Sequence, residues 1–233
     1  MNATAILPWR MPAHRRDGFL LAGACFLIGI TFGVFADSSG LGLGQASALS
    51  ILTFTGASQF ALVSVVAGGG TTAAAVGGAL LIGARNGLYG PSIAPLLRGG
   101  RVRRAVSAHF VIDETTAMAT AQDDPDRARE AFWTTGLWLF AFWNVGTVLG
   151  VVAGNAMDDP RDLGLDAAFP AAFVALLVPH LRSRPGQVTA VLGGAIALVT
   201  VPFTAAGVPM LLAALAVPVG LVVRRGSSRG DTP

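Results

Sequence analysis

Charged residues are scarce in this sequence, and lysine is absent. Asp, Glu, Lys and Arg make up 12% of the 233 residues, against about 25% in an average soluble domain, and all sixteen basic residues are arginine. Hydrophobic residues make up 53%, and the mean hydropathy is +0.63. The composition excludes an ordinary soluble domain and predicts an all-α, polytopic integral membrane helix bundle. The net charge of only +3 gives no support for nucleic-acid binding.

Reactive and metal-binding residues are equally rare. Cys25 is the single cysteine, so the sequence has no disulfide framework. The three histidines form no cluster at metal-ligand spacing. The sequence also lacks an HExxH motif, a Walker A pattern and a GxSxG elbow in a strand–turn–helix context. We therefore expect neither an enzyme nor a bound cofactor.

The basic N-terminal stretch, residues 1–17, precedes an apolar run at 18–36. Residues 34–36 resemble a signal-peptidase site, but the run is longer than the roughly 7–15 apolar residues of a signal peptide. It approaches the roughly 20 residues that are needed to cross a bilayer. We therefore interpret 18–36 as a retained spanning helix.

Further apolar segments continue to residue 223. The segment 44–67 is either one helix with a polar face or two half-helices that meet near Gly56. The segment 105–121 is too polar to face lipid, so we interpret it as re-entrant or interior to the bundle. Pro125, with its acidic neighbours, predicts a helix start. The other predicted segments are 73–97, 131–154, 165–181, 187–203 and 205–223.

Two of the predicted spanning helices carry glycines at four-residue spacing. Gly29 and Gly33 lie on the first, and Gly146, Gly150 and Gly154 lie on the segment 131–154. Small residues at this spacing let two helix backbones approach closely in a membrane. Both segments are therefore predicted to pack tightly against another helix.

Arg85 lies in the middle of the apolar segment 73–97. A guanidinium at membrane depth is costly and does not escape by deprotonation, so Arg85 must face protein, water or an anion. Gly87 and Pro91 weaken the helix at the same place. Broken backbone at this depth is tolerated only inside protein or beside a wet cavity. Arg85 therefore either receives a substrate carboxylate or pairs permanently with a nearby acid and ties two helices together.

Four further polar residues are candidates for the same site. Asp113 and Glu114 are suited to receive the ammonium of a zwitterionic substrate, to carry a proton, or to pair with Arg85; the alternative is a helix cap. Gln59 and Asn86 either orient a small polar ligand or join helices. Free N–H groups at the start of a half-helix near Gly56 are another possible partner for a carboxylate.

Four stretches of the sequence match one family pattern in order. GITFG at 29–33 resembles the glycine-rich first helix of the AzlC family of branched-chain amino acid permeases, and FTGASQF at 54–60 resembles its F-x-G-x-x-Q-F signature. RNGLYG at 85–90 is similar to the family's N-x-R-H-x-x-Y-G, and Asp113-Glu114 resembles its acidic pair. The agreement in order extends over roughly residues 15–225.

The resemblance implies the large subunit of a secondary transporter in the bacterial cytoplasmic membrane. Such a protein exports leucine, isoleucine and valine and works with a small membrane partner, AzlD. Two positions depart from the family pattern: Gly83 stands where the family has asparagine, and Asn86 stands where it has histidine. Since asparagine does not titrate, Asn86 cannot supply any proton-coupling role of that histidine. A membrane scaffold without transport and an intramembrane enzyme are the alternative functions.

Three aromatic residues complete the predicted substrate site. Phe54 and Phe60 flank the expected break near Gly56, and Tyr89 belongs to the motif that contains Arg85. We expect one transmembrane transporter domain over residues 18–224, with cytoplasmic tails at 1–17 and 225–233.

The arginine-rich loop at 98–104 and both termini are predicted to face the cytoplasm, because short arginine-rich loops stay on that side. Single Arg101→Cys and Ser228→Cys variants, in a Cys25→Ala background, should resist a membrane-impermeant thiol reagent in intact cells and react after lysis. Labelling of Arg101→Cys in intact cells would contradict this orientation and make 105–121 a crossing segment.

Overall fold

The computed structural model describes residues 11–97, 99–156 and 180–229, together with positions 174, 177 and 178. These residues form helices and no β-strand, as predicted. Short 3₁₀ helices lie at His180–Arg182 and Val201–Phe203. The α-helices of the described part are α1 (Ala13–Ser38), α2 (Leu43–Leu52), α3 (Ala57–Ala67), α4 (Thr72–Gly83), α5 (Arg85–Leu88), α6 (Gly90–Ile93), α7 (Arg101–His109), α8 (Asp113–Thr120), α9 (Pro125–Asn155), α10 (Arg184–Thr200), α11 (Val208–Ala213) and α12 (Ala216–Arg229).

Three stretches of the described chain are long and apolar enough to cross a bilayer. They are Ala13–Ser38, Pro125–Asn155 and Arg184–Phe203. The remaining helices are shorter, and several apolar segments that the sequence predicts are broken into two or three pieces. The chain is thus an all-α membrane bundle with broken helices. The predicted segment 165–181, with Asp166, lies largely outside the described residues.

The first compact unit comprises residues 1–59 and 83–160, and its framework is the packing of α1 along α9. A Cβ added to Gly29 would lie 2.9 Å from the Trp143 carbonyl oxygen, and one added to Gly146 would lie 2.6 Å from the Phe26 carbonyl oxygen. A Cβ on Gly150 would meet the backbone of α1 in the same way. Both predicted glycine faces therefore pack against each other, backbone on backbone.

Two helices of this unit begin earlier than the sequence predicts. Helix α1 starts at Ala13, five residues before the predicted start at Gly18, and α7 starts at Arg101, inside the predicted loop. Arginine is among the better helix formers, so the basic residues extend the helices instead of ending them. Helix α9 starts at Pro125, as predicted, and the Asp124 carboxylate caps it by accepting from the Arg127 N–H at 2.9 Å.

The second compact unit comprises residues 60–82 and 161–233. Its described part contains α10, which packs against α11 and α12, and the chain turns through Gly207 at φ +90°. The sequence predicted one helix over 205–223, but the structure divides it between α11 and α12. Pro218 explains the break, because its ring displaces the hydrogen bond to the carbonyl four residues earlier, at Ala214.

Replacement of Gly150 by alanine should destabilise the first unit, because the new Cβ would meet the backbone of α1, which has little room to shift. Overpacking of this kind typically costs about 1–3 kcal/mol. The matched control is Gly23→Ala on α1, where an added Cβ meets no described atom within 4 Å outside its own helix. The measurement is the thermal midpoint of each purified variant in detergent, and equal midpoints for the two variants would contradict the packing.

Candidate functional site

Three helix breaks in the first unit bring the predicted site residues together. The first break lies at residues 53–56 between α2 and α3. The second lies around Ala84 and Tyr89, between α4, α5 and α6, where both residues keep helical dihedrals but the hydrogen bonds tighten to three-residue turns. The third lies at residues 110–112, between α7 and α8. Gly56 has φ +59°, a conformation that glycine adopts without strain. Of the two arrangements that the sequence left open for 44–67, the structure has two half-helices.

An aromatic cluster joins the first break to the third. The Phe54 ring is buried, and its centroid lies 6.0 Å from that of Phe110 and 5.2 Å from that of Phe140. The His109 ring also packs against Phe54, at 6.0 Å. A Cβ added to Gly56 would lie 3.6 Å from the Trp143 ring, so this turn rests on α9. Offset and edge-to-face contacts of this kind fix the relative positions of the two breaks.

An ion pair joins the second break to α8. Arg85 Nη2 lies 2.7 Å from Asp113 Oδ2, and each side chain is 35% exposed. The Tyr89 hydroxyl lies beside the same carboxylate. Of the partners that the sequence offered for Arg85, the structure brings Asp113 into contact, and Glu114 follows it on α8 with its side chain partly buried.

Thr115, which the sequence analysis did not propose, fixes the position of Asp113. Its hydroxyl donates to the Phe110 carbonyl oxygen at 2.6 Å and accepts from the Ile112 N–H at 3.1 Å. These bonds close the turn before α8, so that Asp113 becomes the first residue of the helix. No motif in the sequence marked this role, because the capping box has serine or threonine at the N-cap and the N-cap here is Ile112.

The first and second breaks also meet. A Cβ added to Gly83, the last residue of α4, would lie 3.2 Å from Ser58 Oγ at the start of α3. The neighbouring Gln59 is fully buried and donates through Nε2 to the Leu49 carbonyl oxygen of α2 at 3.1 Å. Gln59 thus holds the ends of the two half-helices together through its amide nitrogen.

Buried polar atoms without hydrogen-bond partners collect at these breaks. Nearly all buried polar groups in native proteins are paired, so a cluster of exceptions marks a place where further polar groups are received. In the described part of the first unit, the atoms of this kind at the three breaks are Thr55 Oγ1, Ser58 Oγ, Gln59 Oε1, Asn86 Oδ1, Asp113 Oδ1 and Thr116 Oγ1.

The structure therefore brings together most of the residues that the sequence proposed, from positions 54, 56, 59, 85, 86, 89 and 113. Glu114 follows Asp113 on α8, and Phe60 is the exception. It is buried on α3 and belongs to the second unit.

Comparison with known proteins supports the pattern that the motifs predicted. The sequence model of the family described as AzlC protein matches residues 21–157. An uncharacterized membrane protein of Archaeoglobus fulgidus is 32% identical over 204 residues, which cover 86% of this chain and 89% of the relative. No solved structure matches the chain.

Two relatives carry more specific names. Inner membrane protein YgaZ of Escherichia coli K12 is 28% identical over 182 residues, which cover 74% of each chain. The branched-chain amino acid transport protein AzlC of Bacillus subtilis is 23% identical over 177 residues, which cover 75% of this chain and 68% of the relative. Because the family model covers more than half of the sequence, this integral membrane protein belongs to the AzlC family.

Proposed function

We propose that this protein is a secondary transporter that exports branched-chain amino acids, driven by protons and assisted by a small membrane partner of the AzlD type. Membership of the AzlC family supports transport, and the name of the Bacillus subtilis relative supports this substrate class. The export direction and the partner come from the resemblance of the motifs, and the proton coupling comes from the acidic pair Asp113-Glu114 in the membrane.

The observation that carries the proposal is the cluster of unpartnered polar atoms at the three helix breaks. A zwitterionic amino acid needs partners for both of its charges inside a membrane, because an unpaired buried charge is very costly. Non-helical backbone at membrane depth is tolerated where it lines a cavity or is buried in protein. Transporters place their substrate sites at such discontinuous helices.

The two charged side chains have different roles in this proposal. Asp113 receives the substrate ammonium through Oδ1, which has no hydrogen-bond partner in the described structure, while Oδ2 remains paired with Arg85. Arg85 acts through Asp113, since the ion pair balances the charge of the carboxylate and fixes its direction. Glu114 is then the candidate proton carrier, and Phe54 and Tyr89 border the site.

A scaffold or regulatory role without transport is the main alternative. A pair that only ties helices needs no unpartnered polar atoms around it, whereas a substrate site does. An intramembrane enzyme would need a nucleophile with an oriented base, and the residues at the three breaks do not supply one in the described structure.

Neutralisation of both Arg85 and Asp113 distinguishes a role in transport from a purely structural link between helices. The double variant Arg85→Gln/Asp113→Asn should reach the membrane, because a buried pair is often replaceable when both charges leave together. It should not export labelled leucine, because the ammonium has lost its partner. Arg85→Ala alone should lose both transport and stability, because it leaves Asp113 unpaired.

The assay is efflux of labelled leucine from preloaded cells that also express a candidate partner subunit, with membrane protein quantified for each variant. Arg85→Lys is the control that keeps a cation opposite Asp113 without the planar guanidinium. Full export by the double variant would show that the pair is only structural. Absence of leucine export by the wild-type protein, with and without the partner, would remove the proposed function.

Proton coupling predicts a split between two transport modes. In Glu114→Gln, efflux driven by a pH gradient should be lost, because an amide does not carry a proton. Exchange of labelled for unlabelled leucine without a gradient should persist, since it needs no net proton movement. Asp113→Asn should lose both modes, because this residue binds the substrate. Loss of both modes in Glu114→Gln would assign that residue to binding or structure.

A further inference from the structure

Ser58 has an environment that its own fold does not explain. It is the second residue of α3, its side chain is 1% exposed, and its hydroxyl has no hydrogen-bond partner in the described structure. A buried hydroxyl without a partner is destabilising, and alanine would fit the same helix without this cost. The hydroxyl is therefore a sign that something outside the described chain binds here.

The start of α3 adds further donors at the same place. The first four N–H groups of a helix have no partner within the helix, and together with the helix dipole they favour an anion. Helix α3 is eleven residues long, and it starts directly after the left-handed turn at Gly56. The Gln59 N–H already donates to the Gly56 carbonyl oxygen at 2.9 Å, so the donors offered here without a fixed charge are the Ser58 hydroxyl and the N–H groups of residues 57 and 58.

Gly83 provides the space opposite these donors. A Cβ at this position would lie 3.2 Å from Ser58 Oγ, which is closer than most such contacts in proteins. The glycine leaves this volume to a ligand atom. A larger residue would bring its own side chain into the place where the ligand binds.

Arg85 does not point towards the face of the helix that carries Gly83. Residues two positions apart on a helix point about 200° apart, and Ala84 between them keeps helical dihedrals of φ −58° and ψ −25°. Arg85 thus extends away from the Gly83 face, and Asp113 neutralises it there. An anion beside Gly83 would have to be held by neutral donors.

We propose that the substrate carboxylate binds at the N-terminus of α3 beside Gly83, where Ser58 Oγ donates a hydrogen bond to it. This inference rests on the proposed function and deepens it, because it assigns the carboxylate to Ser58 and the ammonium to Asp113. The site then selects α-amino acids over amines of the same shape, because an amine leaves the donors at α3 unpaired.

The first test compares Ser58→Ala with the wild-type full-length protein. The thermal midpoint of the purified variant should be unchanged or higher, because the substitution removes an unpaired buried hydroxyl. The apparent affinity for leucine in exchange assays should fall by about tenfold or more, the effect of a lost hydrogen bond to a charged group. A purely structural role for Ser58 predicts the opposite combination, with normal affinity and lower stability.

The second test fills the space beside Gly83 with a methyl group. Gly83→Ala should weaken leucine binding, because its Cβ enters the carboxylate position. The matched control is Gly44→Ala on α2, where an added Cβ meets no described atom within 4 Å outside its own helix. Gly44→Ala should bind leucine as the wild-type protein does. Equal affinities for the Gly83 and Gly44 variants would contradict the proposed position.

The third test uses ligands that carry one of the two charged groups. 4-Methylpentanoate has the carboxylate and side chain of leucine without the ammonium, and leucinol has the ammonium without the carboxylate. In thermal-shift titrations of the purified protein, 4-methylpentanoate should stabilise the wild-type protein and Asp113→Asn but not Ser58→Ala. Equal stabilisation of wild type and Ser58→Ala, or none of the wild type by either leucine or 4-methylpentanoate, would overturn the carboxylate site.

These readouts distinguish a failure of the carboxylate site from a failure of the proposed transport function. Stabilisation by 4-methylpentanoate that depends on Ser58, without leucine transport by the wild-type protein, would keep the carboxylate site and remove the transport proposal. Leucine transport that is unaffected in Ser58→Ala would keep the transport proposal and overturn the carboxylate site.

Discussion

The ion pair between Arg85 and Asp113 is the constraint on which the rest of the site depends. Two opposite charges lie 2.7 Å apart in a chain with only 12% charged residues, and either charge alone would be costly among apolar helices. To form the ion pair, the start of α5, which carries Arg85, must lie against the start of α8, which carries Asp113. The Thr115 hydroxyl bonds and the aromatic contacts of Phe54 hold that meeting point in place.

The first unit contains two kinds of helix, a long, tightly packed pair and short, broken helices. Helices α1 and α9 pack backbone on backbone through glycines, which gives the unit a long, tightly joined pair. The polar residues of the site lie on the short helices α5 and α8, at the start of α3 and in the turn before it. Broken backbone is tolerable in a membrane when neighbouring protein satisfies or shields it, and the packed pair provides this shield, as the contact of Gly56 with Trp143 illustrates.

The proposed function gives a reason for the unpartnered polar atoms, because natural sequences break the rules of local stability mainly at functional sites. Acceptor and donor groups lie on different elements, with Asp113 Oδ1 on α8 and Ser58 Oγ on α3. A zwitterion has a cation and an anion separated by one carbon atom, so it needs two such partners of opposite character. The proposed site thus matches the head group shared by all α-amino acids, and the aromatic border accounts for an apolar side chain.

The sequence by itself determined the fold class, the family, the glycine faces of α1 and α9 and the helix breaks near Gly56 and Arg85, because hydropathy, glycine spacing and an intramembrane arginine are local signals. It also named Arg85 and Asp113 as possible partners without choosing between Asp113 and Glu114. Adjacent residues on a helix point about 100° apart, so only the orientation of α8 selects Asp113. Thr115 and Ser58 could not be recognised in advance, because a hydroxyl is informative only when its hydrogen-bond partners, or their absence, are known. That information exists only in the tertiary structure, since the residue opposite Ser58 is Gly83, at the end of α4, and the partner of Asp113 is Arg85, at the start of α5.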